Sequence, residues 1–91
     1  LGYQLCVYIG ITMEKASLYN QVIEALKNIP EVVEAQYTLG AYGLLVKVFA
    51  RDNEHLMQIL TTQIQDIEGV ANTETLTALA QPIYRQLPIE I

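Results

Sequence analysis

The sequence predicts an α+β domain made of two β-α-β halves in tandem, and three observations predict it. First, Ile29-Pro30-Glu31-Val32 leading into Tyr37-Thr38-Leu39 is echoed by Ile67-Glu68-Gly69-Val70 leading into Thr73-Glu74-Thr75-Leu76. Each copy follows an amphipathic stretch and opens a strand-like run. Second, residues 4–13 and 42–50 are apolar on both faces, as strands in the middle of a sheet are. Third, the two intervening stretches each carry one apolar stripe at helical spacing. In a chain of 91 residues neither half can bury a core alone, so the two form one domain.

Taken in order, Leu5, Cys6, Val7, Tyr8, Ile9 and Ile11 make a first strand rich in β-branched and aromatic residues. Ser17 offers a cap to a helix in which Leu18, Val22, Ala25, Leu26 and Ile29 form the stripe while Asn20, Gln21, Glu24, Lys27 and Asn28 face away. Pro30 ends it. Residues 32–39 alternate, Gly40 supplies a turn, and residues 42–50 return as a strand around the single Lys47, which predicts a hairpin. Asp52 caps a second helix with Leu56, Ile59, Leu60, Gln63, Ile64 and Ile67 along one face, and Gly69 terminates it. A last strand runs from Val70 to about Ala80.

The order β-α-β-β-α-β predicts a ferredoxin-like antiparallel sheet with both helices on one face and the first and third strands central. Those are the two strands that read as apolar on both faces. The sheet face away from the helices, carrying Val7 or Tyr8 and Val46 or Val48, then needs a cover. A second copy packed sheet to sheet, forming a dimeric α+β barrel, would supply it. Residues 1–80 make the domain proper, and residues 81–91, too apolar for a solvated tail and bracketed by Pro82 and Pro88, read as an extended arm lying on a partner subunit.

Composition bounds the partners. Hydrophobic residues are 52% of the chain and charged ones only 16%, more apolar side chain than a lone domain this small can cover, which predicts self-association. The net charge is −5, and Lys15, Lys27, Lys47, Arg51 and Arg85 are scattered, so this segment presents no phosphate-binding surface. The single cysteine, Cys6, has no internal partner and fits a reducing compartment. No run approaches the ~20 apolar residues of a membrane span and no cleavable signal is visible, so the expected location is the cytoplasm. A chain that begins at Leu1 suggests a further N-terminal segment.

Two places suit a small ligand. On the second helix the residues turned outward, Gln58, Thr61, Thr62 and Gln65, are all uncharged, and their amides and hydroxyls can hydrogen-bond a partner without burying charge. The hairpin turn 37–43 carries Gly40 and Gly43, which let another group approach the backbone and expose N–H groups able to hold a carboxylate. Signals for catalysis are weak: no nucleophile elbow, no phosphate loop, no metal-ligand spacing, and a lone His55 that reads as a surface residue beside Glu54. The chain calls for no cofactor.

The segments Leu1-Gly2-Tyr3, Glu34-Ala35-Gln36-Tyr37-Thr38-Leu39-Gly40-Ala41-Tyr42 with Leu45-Val46-Lys47-Val48, Asn72-Thr73-Glu74-Thr75-Leu76, and Pro82-Ile83-Tyr84-Arg85 together resemble the C-terminal effector domain of the Lrp/AsnC family of transcriptional regulators, most closely its AsnC branch. The resemblance implies an N-terminal helix-turn-helix domain that alone touches DNA, with the present domain, called RAM and related in fold to ACT domains, serving assembly and amino-acid sensing. It implies dimers through the sheet face, assembly to octamers, and an effector held between dimers by the hairpin turn of one subunit and the second helix of another. Residue by residue, that points to Tyr37, Thr38, Gly40 and Tyr42 on the turn and Gln65 on the helix, with Thr73 and Thr75 joining them. Relatives often carry polar side chains after the turn glycine where this chain has Ala41 and Gly43, which shifts recognition toward backbone groups. The AsnC likeness makes asparagine the first effector to test. Two other readings stay open: a stand-alone amino-acid-binding module without a DNA-binding domain, and a small dimeric α+β-barrel enzyme using His55 or a tyrosine.

Overall fold

In the computed structural model, residues 5–87 are described. The Leu1-Gly2-Tyr3 segment and the end of the 81–91 arm lie outside them. Strand β1 (Leu5–Met13) leads through a 3-10 turn (Ala16–Leu18) into helix α1 (Tyr19–Leu26). Strands β2 (Val32–Tyr37) and β3 (Leu44–Ala50) form the hairpin, helix α2 (Asn53–Gln58) continues as a π-helical segment (Ile59–Ile64), and β4 (Val70–Leu76) closes the sheet. The strand order is β2-β3-β1-β4, with every neighbouring pair antiparallel. This is the ferredoxin-like α+β arrangement, with β1 and β3 central as their two-faced apolar sequence requires.

The pleat assigns the faces. Val7, Ile9 and Ile11 of β1 and Leu44, Val46, Val48 and Ala50 of β3 are buried against Val22 and Leu26 of α1, Ile29 just beyond it, Leu56 of α2, and Ile59 and Ile64 of the π-helical segment. Each of the central residues Ile9, Ile11 and Val46, fully enclosed, contributes about 1.5–3 kcal/mol by leaving water. Cys6 and Tyr8 of β1 and Leu45, Lys47 and Phe49 of β3 occupy the opposite, uncovered face. So Tyr8, not Val7, lies on the open side, and Val46 and Val48 both belong to the core. A strand apolar on both faces carries no alternation from which the phase could be read.

The helix ends depart from the expected pattern. Ser17 is not a cap: Ala16–Leu18 makes a single 3-10 turn entered from an extended Lys15, with no side-chain cap bond. At the other end Ile29 N–H reaches the Leu26 carbonyl at 3.0 Å, a tightened last turn that keeps Ile29 in the core before Pro30. Asp52 does cap α2, its carboxylate accepting from His55 N–H at 2.8 Å. Gly69, at φ +105°, ends the second helical stretch, and its Glu14 contact, Glu14 N–H to Gly69 O at 2.8 Å, fastens that end to β1.

His55 is not the surface residue that its neighbours in sequence suggest. It sits four residues before Ile59 on the same helix face, and it is 7% exposed. Arg51 N–H donates to its Nδ1 at 3.0 Å, and its Nε2 lies 3.2 Å from Glu31 Oε2. A backbone N–H can only donate, so Nδ1 holds the lone pair and the Nε2 proton goes to Glu31. The ring thus ties the start of α2 to the α1–β2 connection. Finally, β4 pairs with β1 only as far as Tyr8↔Leu76, shorter than the expected run to Ala80. Residues 77–87 carry no regular structure, with Leu79 and Leu87 almost wholly exposed.

Candidate functional site

The hairpin turn is built by hydrogen bonds its own residues supply. Thr38 N–H donates to the Gly43 carbonyl at 3.1 Å, and Thr38 Oγ1 donates to the Tyr42 carbonyl at 2.7 Å, which closes the loop across its base. Gly40 at the tip has φ +126°, a conformation few residues other than glycine adopt, and open space surrounds the position. Gly43 N–H donates to the Ile11 carbonyl at 3.0 Å and folds the turn back over β1. There the ring of Tyr42 covers Gly10: a Cβ at Gly10 would lie 2.6 to 2.8 Å from three of its ring carbons. The Tyr42 hydroxyl reaches on across the open face and donates to Glu74 Oε1 on β4. That bond, with partial desolvation and the carboxylate's charge, holds the phenol's pKa above its ordinary value near 10.0.

Gln65 stands on the other side of the sheet. Its Nε2 donates to Thr73 Oγ1 at 2.9 Å. The wide turn preceding it sets its position, since Gln65 N–H reaches back five residues to the Leu60 carbonyl at 2.8 Å. Thr61 and Thr62 do not offer their hydroxyl protons outward. Each donates to the carbonyl four residues back, at 2.7 Å to Met57 and 2.6 Å to Gln58. Thr75, opposite Ile9 in register, shares the helix side of β4 with Thr73 and is exposed. Tyr37 lies at the far edge of the sheet, its ring centroid 4.7 Å from that of Tyr19.

The seven residues singled out from sequence therefore form three groups in one chain. Thr38, Gly40 and Tyr42 belong to the turn, Gln65 and Thr73 touch across the helix side of β4 with Thr75 beside them, and Tyr37 packs its ring at a tilt against Tyr19 of α1 at the opposite edge. Period-two alternation puts Glu74 on one face of β4 and Thr73 on the other, so the turn and the Gln65 pair face away from each other. Sequence reasoning passed over Gly10 and Glu74. A glycine inside an apolar strand was the available signal for Gly10, because such a residue marks close approach by another group. Among the described residues no group of three or more His, Cys, Asp or Glu side chains could hold a metal ion.

A four-stranded antiparallel sheet with both helices on one face and an apolar face left open defines the chain as a small ferredoxin-like α+β domain. Residues 6–88 match the Lrp/AsnC ligand binding domain, and the chain belongs to that family. It is 41% identical over 87 residues to the regulatory protein AsnC of Haemophilus influenzae, covering 96% of this chain and 58% of that one. Among solved structures, E. coli AsnC superposes with a TM-score of 0.86 at 37% identity, covering 94% of this chain and 58% of that one. TTHA0845 from Thermus thermophilus does so with 0.76 at 29% identity, covering 94% and 100%. A Neisseria meningitidis transcriptional regulator solved as its L-Met complex has a TM-score of 0.84 over 96% and 58% of the two chains, and at 18% identity shows the fold alone. The chain spans a little over half the length of the curated AsnC relatives it matches, and those relatives are named as regulatory proteins.

Proposed function

We propose that this chain is the effector-binding and assembly domain of an Lrp/AsnC-type transcriptional regulator that senses an amino acid, asparagine first among the candidates, between dimers. The observation that supports this most is the division of the polar groups: the turn around Gly40 and the Gln65–Thr73 pair are each built, yet point away from each other across β4. A ligand that uses both needs them from different subunits. The open N–H groups at the tip suit a carboxylate, and the amide of Gln65 with the hydroxyls of Thr73 and Thr75 suits a polar side chain; Tyr37 flanks the turn. No covalent step is needed. An effector that binds one assembly better by about 1.4 kcal/mol shifts the population tenfold and repositions DNA-binding domains carried elsewhere in the protein.

In this reading two copies pair through the open face of Tyr8, Leu45, Phe49 and Leu76, dimers associate further toward an octamer, and the arm 81–91 lies on a neighbour. A helix-turn-helix segment ahead of Leu1 makes the contact with DNA in the cytoplasm, and the domain has no membrane partner; no helix among the described residues is long and apolar enough to cross one. The second reading, a stand-alone binding module, is favoured by the Thermus thermophilus chain, which this domain matches over its whole length. The start of the gene separates the two.

The test is a thermal-shift panel of the protein against the twenty amino acids. Ligand at about a hundred times its dissociation constant adds about 2.7 kcal/mol, worth several degrees in a domain of this size. A selective rise names the effector. A flat panel removes the amino-acid reading.

A further inference from the structure

We propose that Glu74 is a positioning residue for the ligand site, holding the hairpin turn in place through Tyr42 while its neighbour Thr73 holds Gln65 from the other side of the same strand. The proposal rests on the reading of the turn and Gln65 as parts of an effector site. The turn between β2 and β3 offers the sheet few anchors. Among the described residues its contacts toward the sheet include Gly43 N–H to Ile11 O at 3.0 Å with Met13 Cε beside Gly43, the Tyr42 ring over Gly10, and the Tyr42 hydroxyl on Glu74. The first fixes the base of the turn. Only the last two fix how far the tip leans over the open face, and of these only the bond to Glu74 is directional.

The strand itself supplies the link. Thr73 and Glu74 are consecutive, so their side chains leave opposite faces of β4. Thr73 accepts from Gln65 Nε2 at 2.9 Å on the helix side, while Glu74 accepts from Tyr42 on the open side. A single peptide unit thus stands between the anchors of the two polar groups. A shift of β4 that relieves one contact moves the other, which gives the turn and the end of the second helix a shared mechanical element without any direct contact between them. Glu74 acts through Tyr42 and not on the effector.

The experiment compares Glu74→Ala, Glu74→Gln, Tyr42→Phe and the double variant Tyr42→Phe/Glu74→Ala by amide hydrogen exchange and by calorimetric titration with L-asparagine. Exchange at Thr38 and Gly43 should rise about tenfold in Glu74→Ala and in Tyr42→Phe and no further in the double variant, the non-additivity of one shared contact. Glu74→Gln keeps an oxygen to accept the phenol proton and should stay within about threefold of the parent. Amides of the β1–β3 pairing should not change in any variant, which separates a local release from general destabilisation. Asparagine affinity should follow the same pattern. If the parent does not bind asparagine but the exchange pattern holds, the asparagine reading fails and the positioning role stands. Parent-like exchange in Glu74→Ala overturns the proposal, and so does equal loss of affinity in Glu74→Gln and Glu74→Ala with exchange unchanged, because that outcome makes the carboxylate a direct contact of the ligand's charge.

Discussion

Gly10 has no side chain of its own, and the ring of Tyr42 takes the place of one. Replacing Gly10 with alanine sets a methyl group against the inner ring carbons, so the ring must rise and release Glu74. The expected loss is about 1–3 kcal/mol, the usual range for overfilling a packed position, read from the midpoint of urea unfolding. Tyr42 also sets a direction with pH. Its proton is held more tightly in the folded chain than in the unfolded one, so its stabilisation is complete below the ordinary phenol value near 10.0 and is lost as pH rises through the raised folded value. Unfolding midpoints should fall more in the parent than in Tyr42→Phe as pH rises past the ordinary phenol value; equal falls would show that Tyr42 contributes nothing to the alkaline limb. Neither residue's role was legible beforehand. Gly10 and Tyr42 lie far apart in sequence, and no local pattern records a ring resting on a strand. His55 is a related case: its neighbour Glu54 suggests a surface position, whereas spacing from Ile59 gives the core.

The second helical stretch shows what periodicity conceals at the scale of an element. Ile59 and Ile64 are both fully buried, although on a regular helix residues five apart are separated by about 140° around the axis. The π-helical segment between them widens the turn and brings both onto the core face. In the sequence the stripe reads as an ordinary helix because Leu60 and Ile64 are also four apart, and one surplus residue leaves no mark on so short a pattern. Deleting Thr61 should restore regular hydrogen bonding while keeping Ile59 and Ile64 on one side, now four apart. The variant is expected to fold with a melting temperature at or above the parent's, followed by circular dichroism, and loss of cooperative melting would show that the wide turn is required by the fold. The strands were the better-read elements. Their number, order and central pair follow from two apolar runs and a hairpin turn, while the inward phase of β1 and β3 is fixed only by packing against the helices.

For the whole molecule the imbalance between the faces decides the behaviour. One face of the sheet is sealed by two helices; the other presents Tyr8, Leu45, Phe49 and Leu76, with the Lys47 ammonium 6.0 and 5.6 Å from the Tyr8 and Phe49 ring centroids and 4.0 Å from Glu34. Lys47 keeps a counter-charge and two aromatic faces within reach, so covering this side does not strand its charge without partners. If copies pair through this face as proposed, Leu45→Glu, placing an acid in the middle of it, should lower the mass read by light scattering while leaving the helical signal intact. A variant of unchanged mass would place the interface elsewhere. The apolar excess in the composition predicted a face in need of cover, but the sequence could not show which residues form it until the phase of the strands was known. The division of the candidate polar groups between opposite sides of β4 was equally hidden, since it depends on the turn folding back over the sheet.

The ring over Gly10 gives the open face its contour at that point. With the turn down, a surface approaching this side meets an aromatic ring with a phenol at its edge; with the turn lifted, it would meet bare backbone at Gly10, between Leu45 and Glu74. The hairpin therefore sets part of the contour of the open face, and whatever moves the turn changes the shape offered to a docking surface without altering a single residue of the strands beneath it.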